Sequence, residues 1–164
     1  MRLNRGQPVS TYDKILVVDD DDALRESIVS ILESEGYVLD VAKSGFEAEI
    51  KLRNKIYNLV LLDIKLPDIT GIELLAKINQ FTPRTKKIVL TGFPDTETAI
   101  KSVNEKADAY LVKPFDPDAL LDVIAENLEN QKEELKYTQE KVLEYIQHRV
   151  KELDEDQIPR KMGV

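Results

Sequence analysis

Five polar side chains stand directly behind short apolar runs. Asp19 and Asp20 follow Ile15-Leu16-Val17-Val18, Asp63 follows Leu59-Val60-Leu61-Leu62, Thr91 follows Ile88-Val89-Leu90, and Lys113 follows Ala109-Tyr110-Leu111-Val112. Three carboxylates within a few ångströms of one another repel, and without a cation at least one tends to keep a proton. A divalent ion removes that conflict, and oxygen-only ligands suit magnesium or manganese. Thr91 supplies a hydroxyl donor and Lys113 a compact positive charge, both suited to the equatorial oxygens of a transferring phosphoryl group. Asp63 is left as the nucleophile. A carboxylate is already ionised at neutral pH, so it needs no general base and would yield an aspartyl phosphate.

This chemistry requires the five side chains to meet. The continuous apolar runs predict strands buried on both faces of a parallel sheet, with a further strand at Tyr37–Val41. Between them, Leu24, Ile28, Ile31 and Leu32 recur at helical spacing up to Gly36. Ser44 is placed to cap a helix carrying Ala48 and Leu52, and Asp21 and Asp22 to cap and charge the start of the first helix. A third helix carries Ile72, Leu75 and Ile78 and ends at Thr82-Pro83; a fourth surrounds Ala99 and Val103; a fifth carries Leu120, Leu121, Ile124 and Leu128. Alternating strands and helices imply right-handed crossovers and a doubly wound α/β sandwich with helices on both faces of the sheet. All strands then point their C-terminal ends at one edge, where ligands of such sheets bind. That edge gathers Asp19, Asp20, Asp63, Thr91 and Lys113.

With 31 acidic against 23 basic side chains and a formal charge of −8, attraction to nucleic acid or anionic lipid is disfavoured. The absence of cysteine removes disulfides, thiolate metal sites and a thiol nucleophile. No apolar run reaches the ~20 residues of a membrane span, and the opening twelve residues lack the apolar stretch of a signal peptide, so a cytoplasmic protein is expected. Residues 1–12 read as a flexible leader.

From about Asp13 to Asn130 the chain closely resembles the receiver domains of two-component response regulators. The resemblance rests on ILVVDDD at 15–21, LVLLDIKLPDITG at 59–71, IVLTG at 88–92 and ADAYLVKPF at 107–115, in that order. It implies a flavodoxin-like five-stranded parallel sheet of order 2-1-3-4-5. It implies that Asp63 is phosphorylated by a sensor histidine kinase, and that Asp20, Asp63 and the backbone carbonyl of Lys65 ligate magnesium, with Asp19 acting through water. Thr91 and Lys113 would contact the phosphoryl oxygens. Tyr110 matches the family's switch aromatic, which turns inward as the threonine moves, and Lys113-Pro114 matches its cis peptide bond. Lys65 and Phe93 occupy positions that tune the lifetime of the phosphorylated state; their bulk implies slow self-dephosphorylation. Such a domain promotes only its own phosphorylation and dephosphorylation. It signals to a downstream protein through a face built from the fourth helix, fifth strand and fifth helix.

Two other functions are weighed. An aspartate-nucleophile phosphohydrolase is suggested by Asp19, Asp21 and Ala23, but that family's metal-binding acidic pair comes last, and none follows Lys113. A non-phosphorylated docking scaffold would not need the complete set of acid, threonine and lysine. His148, in a charged helical segment, reads as a solvated surface residue.

No proline or glycine intervenes from Ala119 to Pro159, so the fifth helix is expected to run on to about Asp154. Leu121, Ile124, Leu128, Leu135 and Val142 fit a heptad seam, with Gln131 and Thr138 as polar core positions and a shifted pattern at Ile146, Val150 and Leu153. Residues 131–164 therefore read as a helical extension, an imperfect coiled coil favouring a homodimer over a linker helix held by pairs such as Glu129 with Lys132 and Glu133 with Lys136.

Overall fold

The computed structural model describes residues 13–92, 101 and 104–156, with side chains to 153. In chain order the elements are β1 (Lys14–Val18), α1 (Asp22–Ser34), β2 (Val38–Ala42), α2 (Gly45–Asn54), β3 (Leu59–Asp63), α3 (Gly71–Phe81), β4 (Lys86–Thr91), β5 (Ala109–Val112) and a C-terminal helix (Pro117–Asp156). The strands form one parallel sheet of order β2-β1-β3-β4-β5, as the resemblance implies. The expected helix around Ala99 and Val103 lies outside the described residues.

Strand side chains alternate between two cores, as the pleat requires. Ile15, Val17, Leu59, Leu61, Ile88 and Leu90 face Ile28 and Leu32 of α1 and Leu120, Ile124 and Leu128 of the C-terminal helix. Leu16, Val18, Val60, Leu62 and Val89 face Ala48 and Leu52 of α2 and Leu74, Leu75 and Ile78 of α3. Each fully buried aliphatic side chain is worth about 1.5–3 kcal/mol of transfer free energy. That drive holds the strands, and with them their polar ends, in register.

The helix termini follow their capping residues. Asp21 accepts from the Leu24 amide at 3.0 Å, Ser44 from Glu47 at 3.2 Å, and Thr70 and Glu73 form a reciprocal capping box. α1 closes with Gly36 at φ 89°, its amide donating to Glu33 and that of Tyr37 to Leu32. Because the Tyr37 amide is spent in that closure, β2 runs from Val38 to Ala42, one residue later than the apolar pattern suggests. β4 begins at Lys86, before the apolar run, because Asp108 holds both lysines there. Its carboxylate accepts the Lys87 amide at 2.8 Å and lies 3.4 Å from the Lys86 ammonium and 3.7 Å from that of Lys87.

One expectation from the tail is corrected. Gln131 is no coiled-coil core position: it is 5% exposed, donating to the carbonyls of Asn58 (2.8 Å) and Arg84 (2.7 Å) and accepting from Asn58 Nδ2 at 3.2 Å. Asn58 in turn pairs with Lys14 and Lys86 at the N-terminal edge of the sheet, so Gln131 locks the helix there through an amide that both donates and accepts. The chain divides into a unit ending at Gln131 and a second beginning at Lys132. In the second, Arg149 and His148 pair with Glu152, and Lys141 pairs with Glu144.

Gln131→Ala removes a buried amide that donates to the Asn58 and Arg84 carbonyls and accepts from Asn58, and is expected to cost about 1–3 kcal/mol in urea denaturation. Gln139→Ala, on the exposed helix, should cost less than about 0.5 kcal/mol. Equal effects would show that the Gln131 network contributes nothing.

Candidate functional site

The sheet register aligns the polar strand ends. Val18 pairs with Leu62, so Asp19 and Asp63 each lie one step beyond a shared rung. Asp63 pairs with Leu90, Thr91 follows and pairs with Val112, and Lys113 comes one step later. Asp19, Asp20 and Asp63 each offer a carboxylate oxygen, all within 4.8 Å of one another. Asp19 is fully buried, Asp63 is 7% and Thr91 4% exposed, and Asp20 faces solvent. Lys113 Nζ lies 3.0 Å from Asp19 Oδ2 and 3.4 Å from Asp63 Oδ2, a single cation between two anions. The Lys113-Pro114 peptide is cis.

The two inner carboxylates are held differently. Asp19 Oδ1 accepts the Asp21 amide at 2.9 Å, its own amide donates to Ala42 at 3.1 Å, and its carbonyl accepts from Arg25 at 2.8 Å. Among the described residues, the Asp63 carboxylate meets the Lys65 amide, at 3.3 Å, and Lys113. Burial therefore pushes the Asp63 carboxyl above the usual carboxylate range, helped by the Asp19 charge and opposed by Lys113 and the Lys65 amide. The donor set suits a divalent cation: hard oxygens, one of them solvent-facing, with fewer positive than negative charges around them.

The family-model match covers residues 15–125 and is to the response regulator receiver domain. The chain belongs to that family. It is 36% identical over 114 residues to the transcriptional regulatory protein ZraR of Klebsiella oxytoca, covering 70% of this chain and 26% of that protein. The chain thus spans about a quarter of the length of that curated relative. Among solved structures it resembles a CheY-like receiver domain from Methanospirillum hungatei (45% identity, TM-score 0.74, covering 75% of this chain and 98% of that one). It also resembles TrrA of Thermotoga maritima, solved in complex with Mg2+-BeF (36% identity, TM-score 0.65, covering 70% and 98%).

Within this receiver the remaining expected residues are placed as follows. Lys65 is exposed on the β3–α3 loop and forms a bridge with Thr70. Tyr110 is half-buried, packed beside the α2–α3 core, and among the described residues its buried hydroxyl has no hydrogen-bond partner. Phe93 lies outside the described residues. The phosphohydrolase reading is not favoured: Asp19, its nucleophile, is fully buried with both oxygens engaged, and Asp21 is spent as a helix cap.

Three supporting residues escaped the sequence reading. Arg25 is buried on the face of α1 that carries Ile28 and Leu32, reaching the Asp19 carbonyl while also pairing with Asp22. Its spacing from Ile28 and Leu32 was the available signal. Gly71 starts α3, and a Cβ there would lie 2.3 Å from the Asp63 carbonyl oxygen, so only glycine lets α3 start against the Asp63 backbone. Asp68 accepts the first two amides of α2, from Gly45 at 2.8 Å and Phe46 at 2.7 Å. Burial is the largest single influence and raises its pKa, but the Phe46, Gly45, Ile69 and Asp68 amides together outweigh it and hold the carboxyl below its ordinary value.

A raised folded-state pKa favours the protonated form, so Asp63 stabilises the fold at low pH and loses that contribution as pH rises through the folded value. With chelator at neutral pH, Asp63→Asn is therefore expected to melt higher than wild type in calorimetry, the gap closing towards pH 3 and on adding magnesium. An equal or lower melting temperature would refute the burial argument.

Proposed function

We propose that this receiver is a phosphorylation-controlled switch, with Asp63 accepting a phosphoryl group from the phosphohistidine of a sensor histidine kinase. The observation that carries the reading is the meeting of three carboxylates within 4.8 Å, with Lys113 bridging the two inner ones. An Asp63 oxygen attacks phosphorus as the phosphorus–nitrogen bond breaks, and the electron pair leaves on the imidazole nitrogen. Lys113 follows the charge on to a phosphoryl oxygen, while the Asp21 amide keeps Asp19 oriented. Thr91, next to Asp63's strand partner, donates its hydroxyl to another oxygen. Asp20, Asp63 and the Lys65 carbonyl would hold Mg2+ or Mn2+, with Asp19 acting through water, and the bound ion offsets negative charge on the transferring group.

As Thr91 turns to the phosphoryl group, Tyr110 on the adjacent strand responds. The two residues thus bias the face around β5 and the start of the C-terminal helix, which a downstream protein reads. A differential of a few kcal/mol suffices to exchange the major and minor states. The domain acts on no other substrate. Family membership supports the kinase as donor and the cytoplasm as the place of action; among the described residues no helix is long and apolar enough to cross a membrane.

The extension from Lys132 supports self-association. Val142, Ile146, Val150 and Leu153 are each about half exposed. At ~100° per residue they and Leu135 share an arc of about 80° on a straight helix. The shift after Val142 is a change of period: eleven residues separate it from Leu153, a repeat of ~3.67 whose right-handed drift cancels the left-handed drift of the heptad from Leu135 to Val142. The occupant of that stripe is a second copy of the chain.

Acetyl phosphate with magnesium is expected to add one phosphoryl group by intact mass, abolished by EDTA or Asp63→Asn, and slowed about a hundredfold by Lys113→Ala. Modification that persists in Asp63→Asn would assign the chemistry elsewhere. In sedimentation equilibrium, Ile146→Glu/Val150→Glu should halve the mass of the wild-type dimer; a monomeric wild type, or an unchanged mass, defeats the pairing.

A further inference from the structure

The two sides of the acid pocket arrive on different strands, and their spacing is set by more than the sheet. On one side, the Asp19 amide is bound to the Ala42 carbonyl at the end of β2, and the chain passes from there through Ser44 into α2. On the other, Asp63 accepts the Lys65 amide, and the Lys65–Thr70 bridge closes the β3–α3 loop into a compact unit. Asp68, in that loop, is the hydrogen-bonded link between the two sides, one carboxylate oxygen taking the Gly45 amide and the other the Phe46 amide. The seam beside it is tight: a Cβ on Gly45 would meet Ile69 at 2.4 Å.

We propose that Asp68 is a positioning residue that ties the Asp63 loop to the segment holding Asp19, and so sets the carboxylate spacing on which cation affinity depends. The proposal rests on the reading that the acid pocket binds magnesium. It separates Asp68 from an ordinary helix cap, because α2 has its own cap in Ser44, which takes the Glu47 amide and touches nothing in the β3–α3 loop among the hydrogen bonds described. Magnesium demands near-ideal octahedral geometry, so a loop freed by a fraction of an ångström on one side of the pocket binds it less well. Groups that orient metal ligands typically contribute 10- to 100-fold to affinity.

The test compares magnesium dissociation constants, measured by isothermal titration calorimetry on the full chain, with melting temperatures. Asp68→Ala is expected to weaken magnesium binding by about tenfold. Ser44→Ala, which removes the neighbouring cap of the same helix, should lower the melting temperature yet leave magnesium affinity within twofold of wild type. Asp68→Asn keeps one acceptor oxygen and should fall between wild type and Asp68→Ala; should the alanine variant not melt cooperatively, the asparagine variant carries the comparison. Binding that Asp63→Asn abolishes but Asp68→Ala and Asp68→Asn leave unchanged overturns the tether alone, as does equal weakening by Ser44→Ala. Absence of magnesium binding in the wild type overturns the tether together with the reading beneath it.

Discussion

The repulsion between Asp19 and Asp63, two buried carboxylates answered by one ammonium, is the constraint around which the rest of the structure is arranged. Burying a charge without a partner costs several kcal/mol, so such a pair persists only where the surrounding fold over-determines it. Here the sheet supplies that determination. Four strand ends stand side by side in fixed register, those of β1, β3 and β4 backed by aliphatic side chains with no exposure to solvent and that of β5 by partly buried ones. The hydrophobic free energy of the two cores therefore underwrites an electrostatically unfavourable rim that concentrates negative charge at one edge of the sheet.

The supports around the rim divide the labour. Asp19 is immobilised through its amide, its carbonyl and both side-chain oxygens, as suits a residue that organises charge rather than exchanging it. The Asp63 side chain, whose backbone is fixed in the sheet, is held among the described residues by one backbone amide and one lysine. Gly71 lets α3 begin in direct contact with the Asp63 carbonyl, and the loop between them returns to α2 through Asp68. Asp63 is thus embedded in a small hydrogen-bonded frame spanning β1, β2 and β3. Away from this edge, Gln131 and Asn58 satisfy each other and two strand-entry carbonyls, so the part of the C-terminal helix ending at Gln131 is tied to the edge of the sheet opposite the acid cluster.

Much of this was legible in the residues. Uninterrupted apolar runs closed by acids identify buried parallel strands because only such strands need no polar face, and the position of each acid then names the functional edge. Less legible were features whose cause lies across the sheet. Lys86 and Lys87 look like loop residues until Asp108 is placed beside them. Tyr37 looks like the first residue of β2 until its amide is seen to close α1. Gln131 fits a heptad, and only the strand-entry carbonyls of Asn58 and Arg84 show that its amide is directed into the domain.

By itself, the sequence determined the types of the described elements, the caps of α1 and α2 and the identity of the five rim residues, because periodicity and capping are local and a strand's last residue is marked by its change of polarity. Tertiary structure alone decided which carboxylate is buried and which faces water, that Lys113 lies between Asp19 and Asp63, and that Arg25, Asp68 and Gly71 hold the pocket's walls. The reason is that desolvation and close packing depend on atoms brought together from distant parts of the chain. No local pattern encodes the distance between them.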